Sequence, residues 1–67
     1  MKVGERHRYS ERDGYVCIVE ILKIKEDYST DIYIIQNIKE SNYELGYHSF
    51  STNLGVWELL EGQDKPL

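Results

Sequence analysis

The chain has 67 residues, a formal net charge of −4, a single cysteine and 30% charged residues. A chain this short holds one domain with a lean core, and one cysteine excludes an internal disulfide as its supplement. No apolar run approaches the roughly 20 residues that span a bilayer, because Glu20 and Lys23 interrupt the longest one, Tyr15 to Ile24. A free thiol and the early charges of Met1-Lys2-Val3-Gly4-Glu5-Arg6 are those of a soluble protein in a reducing, cytoplasmic setting.

Charge is unevenly distributed. Residues 1–13 carry Lys2, Arg6, Arg8 and Arg12 against Glu5, Glu11 and Asp13, a balance of +1, whereas from residue 14 onward four lysines face nine carboxylates. Most of the surface therefore repels phosphate, and any nucleic-acid contact is confined to the N-terminal basic run.

Five β-branched and aromatic runs follow one another near residues 3–9, 15–25, 31–38, 43–50 and 56–60, with turn chemistry between them. The first reversal, Ser10-Glu11-Arg12-Asp13-Gly14, ends in Asp-Gly, a pair that tolerates the positive φ of a tight turn. Tyr15 to Ile24 is apolar on both alternating faces, as in a long strand that bends to serve two parts of a core. Lys25 to Thr30 reads as a polar loop, and Asp31 to Ile38 as a strand with Ile32, Ile34 and Ile38 on one face. After a turn at Lys39-Glu40-Ser41-Asn42, alternation places Tyr43, Leu45 and Tyr47 on one side of the next strand, where Gly46 marks a bend. Ser51-Thr52-Asn53-Leu54-Gly55 has the cap and stop residues of one helical turn ahead of the final strand, Val56 to Leu60. Residues 61–67 offer no periodic apolar face and read as a loose tail to a domain of residues 1–60.

These elements predict an all-β fold: a small five-stranded antiparallel barrel with a short helical turn before the last strand. The order of elements, the Val3-Gly4-Glu5 entrance and the Ser51-Thr52-Asn53-Leu54 turn resemble the SH3-like small-barrel superfamily over residues 2–60. That resemblance implies a binding module rather than an enzyme, holding a peptide, a protein surface or nucleic acid on its loops and one curved face. The acidic first loop and the paired-tryptophan and proline signature of polyproline binders are missing. The tyrosine-rich β pattern with its Trp57-Glu58-Leu59-Leu60 ending also looks like small accessory proteins of phages and mobile elements.

Catalytic and metal chemistry find little support. Cys17 lies mid-strand between Val16 and Ile18, as a small buried hydrophobe does. His7, Cys17 and His48 fall on three separate strands with no close-spaced ligand pair, so no metal or other cofactor is expected. His48 and Ser49 are strand neighbours pointing to opposite faces, which separates a nucleophile from its base. The carboxylates of Glu26, Asp27 and Asp31, and of Glu58, Glu61 and Asp64, sit where solvated charge is the ordinary explanation.

Two functions remain. The first is a non-catalytic protein-interaction module, of the kind that serves as a phage inhibitor or adaptor, binding through loop residues and the aromatics Tyr28, Tyr33, Tyr43 and Trp57. The alternative is nucleic-acid binding, with Arg6, Arg8 and Arg12 on phosphates and Tyr9 stacked on a base. A lean core and open strand edges also invite homodimerisation, through the strand at 43–50 or the final strand.

Overall fold

The computed structural model describes residues 1–39 and 43–60. The expected tail at 61–67 and most of the expected turn at 39–42 lie outside these residues. The described chain is all-β, with five strands: β1 (Arg6–Ser10), β2 (Val16–Ile24), β3 (Ser29–Lys39), β4 (Gly46–Ser51) and β5 (Val56–Leu59). They form one antiparallel sheet in the order β4-β3-β2-β1-β5, a meander of four strands with the last returning beside the first. Among the described residues no helix is long and apolar enough to cross a membrane.

The sheet curls strongly. Tyr9 on β1 stacks on Phe50 on β4 with ring centroids 4.6 Å apart, although three inter-strand steps of about 4.8 Å separate those strands along a flat sheet. Its concave face holds the core: Tyr9, Tyr15, Cys17, Val19, Ile21, Ile32, Ile34 and Phe50, with Tyr43 and Trp57 packed against them. The edges β4 and β5 do not pair with each other, so the sheet is open and the closed barrel expected from the sequence is not present.

Irregular register explains several departures from simple alternation. Pairing between β2 and β3 shifts at Val16/Cys17, Ile18/Val19 and Ile21/Lys23. Each shift adds an unmatched residue to one strand, which bends it and resets which side chains face inward. Ile18 pairs with Gln36 and Val19 with Ile34, leaving Ile35 unmatched. The inward position next to Cys17 then falls to Asn37, and Ile38 is 51% exposed rather than sharing the buried face of Ile32 and Ile34. Asn37 makes that position tenable: its Oδ1 accepts a hydrogen bond from the Tyr15 hydroxyl at 2.6 Å, and its Nδ2 donates to the Tyr43 carbonyl at 2.9 Å.

Two further expectations are corrected. Tyr43, Leu45 and Tyr47 do not share a face, because β4 begins only at Gly46: Tyr43 lies half-buried against the core, while Leu45 and Tyr47 are exposed. The Ser51–Gly55 segment forms no helical turn. Ser51 still belongs to β4, and the chain reverses in a turn closed by Leu54 N–H to the Ser51 carbonyl at 3.3 Å. The Ser51 hydroxyl accepts from Asn53 N–H at 3.1 Å, and Thr52 donates through both N–H and Oγ1 to the Tyr28 carbonyl, at 2.7 and 2.9 Å. Side chains that bond nearby backbone in this way hold a turn in place of a helix.

Candidate functional site

A groove of about 810 Å³ lies between the β1–β2 reversal and the β4–β5 turn. Its first wall follows from the Asp-Gly chemistry read in the sequence. Gly14 has φ +105°, its N–H donates to the Glu11 carbonyl at 3.0 Å, and Glu11 N–H donates to the Tyr15 carbonyl at 2.8 Å. Asp13 accepts Tyr15 N–H on its side chain at 3.3 Å, which pins the reversal locally. The second wall is the Thr52–Gly55 turn. Gly55, at φ +71°, lies so close to Tyr9 that a side chain there would stand 2.9 Å from the ring and 2.6 Å from the Ser10 carbonyl. At the base, Ser10 pairs with Val56 across β1 and β5.

Leu54 and Val56 are 63% and 66% exposed on this groove, while Glu11, Arg12 and Asp13 line the opposite wall. Beneath it the rigid layer is aromatic. Trp57 packs on Tyr9 with centroids 4.6 Å apart and donates its indole N–H to the Leu54 carbonyl at 3.2 Å, so the core fixes the position of Leu54. The Tyr9 hydroxyl donates to the Glu11 carboxylate at 3.0 Å. Burial, and secondarily that carboxylate, push the Tyr9 hydroxyl far above the usual phenol range, so it stays a neutral donor. The groove thus sets the apolar Leu54 and Val56 opposite the mixed charges of Glu11, Arg12 and Asp13.

The sequence-nominated residues are scattered around this groove. Arg12 lines it, and Trp57 supports it from below. Tyr9 is 1% exposed at the centre of the core, so in this fold its ring is not open to a stacked base. Arg6 and Arg8 are exposed on the convex face of β1, but Arg8 meets Glu58 at 3.5 Å and Arg6 lies opposite Glu20 in the β1–β2 register. Tyr43 is wedged against Tyr15 and Phe50, at centroid distances of 4.9 and 5.1 Å. Tyr33 forms an edge-to-face pair with Tyr47 on the convex face, at 4.9 Å. Tyr28 stands alone at the β2–β3 hairpin tip, 65% exposed and with φ +67°. Leu54, Gly55 and Val56 escaped sequence reading as site residues because a turn has no periodicity that tells an exposed apolar pair from a buried one.

Two titratable groups away from the groove, Cys17 and His7, are buried. Cys17 is fully buried and its thiol is pushed up, chiefly by loss of solvent. His7 is 4% exposed, and its Nδ1 has no hydrogen-bond partner among the described residues. Burial lowers its pKa, opposed by Glu5, whose carboxylate is 3.8 Å from Nε2. Among the described residues no three His, Cys, Asp or Glu side chains stand close enough together to hold a metal ion. Comparison with family models, with curated proteins and with solved structures finds no match to this chain.

Proposed function

We propose that this protein is a non-catalytic interaction module that holds an extended segment of a partner protein in the groove between the β1–β2 reversal and the β4–β5 turn. The observation that carries the proposal is the pair of exposed apolar side chains, Leu54 and Val56, held on that groove by Gly55 and Trp57. A partner's apolar side chain between them would lose water against a surface that needs no rearrangement, which lowers the ordering cost of binding. β5 is an edge strand, and among the described residues nothing pairs with its outer side, so a segment entering the groove meets main-chain donors and acceptors as well. The single five-stranded antiparallel sheet supports a small β binding module of the kind the sequence resembles, and an inhibitor or adaptor role in a phage or mobile element fits a module of this size.

A nucleic-acid role draws less support, since carboxylates face Arg6 and Arg8 and Tyr9 is buried. Both readings meet in one experiment: capture of partners from lysate by the tagged protein, with and without nuclease, beside a Leu54→Asp variant and a control, Ile24→Ser, at the exposed end of β2 away from the groove. A defined protein retained after nuclease, lost with Leu54→Asp and kept with Ile24→Ser, supports the groove. A catch that vanishes with nuclease, or one indifferent to Leu54→Asp, refutes it.

A further inference from the structure

β4 is a six-residue edge strand, Gly46-Tyr47-His48-Ser49-Phe50-Ser51, and among the described residues nothing pairs with its outer side. Natural edges are blunted by charge, proline, bulges or shortness. β4 has none of these: it holds no charged residue and no proline, and its register with β3 runs without a shift from Ser29/Ser51 to Ile34/Gly46. The other edge, β5, is four residues long and carries Glu58.

The direction of the free groups is fixed by the turn that follows. Thr52 N–H points toward β3, donating to the Tyr28 carbonyl, and the Ser51 carbonyl points away from β3, accepting from Leu54 N–H. Alternation along a strand then turns the amides and carbonyls of Tyr47 and Ser49 to the open side, and those of His48 and Phe50 toward β3. Each copy of the chain therefore offers an N–H and a C=O at Tyr47 and again at Ser49.

We propose that β4 is a homodimer interface, pairing antiparallel with β4 of a second copy about a two-fold axis at His48. In that register Tyr47 lies opposite Ser49 of the partner subunit, and the two exchange both main-chain hydrogen bonds. The symmetry repeats the exchange, so all the free groups at these two positions are used. Side-chain sizes favour this register. Tyr47, 77% exposed, faces a serine on the convex side, and Phe50 faces Gly46 of the partner subunit on the concave side. Each bulky residue thus meets a small one across the axis. The exception is the His48 pair at the axis itself, where each ring is already held by its own chain: Nε2 lies 2.8 Å from the Glu44 carbonyl, and the ring stacks near Phe50. A neutral strand also lets two copies of net charge −4 meet where neither presents charge. None of the groove-lining residues lies on β4, so the dimer would carry one groove on each copy.

Sedimentation equilibrium over a wide concentration range tests the proposal on three proteins. The wild type is expected to move from 7.9 kDa toward twice that mass as concentration rises. Ser49→Pro removes an N–H that points away from β3, so the β3–β4 ladder keeps its bonds while the dimer loses two; the expected mass is that of the monomer at every concentration. Ser49→Lys places a cation on the edge and is expected to act in the same direction without altering the backbone, which keeps the test sharp if the proline variant fails to fold. A wild type that stays monomeric throughout overturns the interface, as does a folded Ser49→Lys variant that dimerises as the wild type does.

Discussion

Gly55 is the point at which the core and the groove constrain each other most tightly, and replacing it with alanine tests that constraint. A Cβ at this position would stand 2.6 Å from the Ser10 carbonyl oxygen and 2.9 and 3.1 Å from Cε1 and Cζ of Tyr9, against about 3.5–4.0 Å for a relaxed carbon contact. Neither neighbour yields easily. Ser10 is paired to β2 and β5, and the Tyr9 ring is clamped between Phe50 and Trp57. Forcing the atom in costs about 1–3 kcal/mol as overpacking, and the left-handed backbone adds about 1–2 kcal/mol for a residue with a side chain. Against a total stability of roughly 3–10 kcal/mol for a chain this size, that loss lowers the melting temperature by at least about 10 °C. The assay is urea unfolding followed by fluorescence of Trp57, the single tryptophan, which packs on the same tyrosine ring. Gly4→Ala is the matched control, since Gly4 also has positive φ, +93°, but a side chain there meets nothing within 4 Å. Gly55→Ala is expected to cost about 1–3 kcal/mol more than Gly4→Ala. Equal losses for the two variants would refute the close-approach argument and, with it, the claim that the core fixes the groove wall.

Other consequences follow from the same packing. Tyr28 has a side chain in a conformation that favours glycine, φ +67°, so Tyr28→Gly is expected to raise the urea midpoint by about 0.5–1 kcal/mol equivalent; a lowered midpoint would show that the ring contributes packing that outweighs the strain. The depressed pKa of His7 means that the folded state binds its proton less readily than the unfolded chain. Stability is therefore full above the unfolded value of 6.5 and falls as pH drops through 6.5 toward the lower folded value. His7→Phe is expected to flatten this part of the pH–stability curve between about pH 8 and pH 5.5, whereas an unchanged slope would assign it to other groups. Cys17, fully buried and with its thiol pushed up, should react with a thiol reagent only at the rate of unfolding; labelling within the mixing time under native conditions would contradict its place in the core.

All-β architecture, five strands and the Asp13-Gly14 reversal were legible in the sequence because each depends on local chemistry: β-branched runs fit a pleat, and glycine accepts positive φ. On β2 the burial of Cys17 was legible, but the strand looks apolar on both faces in sequence, and it is the fold that buries Cys17, Val19 and Ile21 and leaves Val16, Ile18 and Glu20 half-buried. Alternation misled at Ile38, where a register shift between β2 and β3 turned Asn37 inward instead. It misled again at Leu45, where the strand had not yet begun. Such shifts come from how two strands meet, and neither strand carries them alone. The Ser51–Gly55 segment has the composition of a capped helical turn, but the Tyr28 carbonyl, distant in sequence, captures both donors of Thr52 and holds a β-type reversal. The same holds for function. Sequence named Arg6, Arg8 and Tyr9 by type and spacing. Tertiary structure set carboxylates opposite the arginines, buried the tyrosine and brought Leu54 and Val56 to one groove. Local propensity determines which residues form strands and turns; the curl of the sheet, which no single segment encodes, determines which of them share a surface.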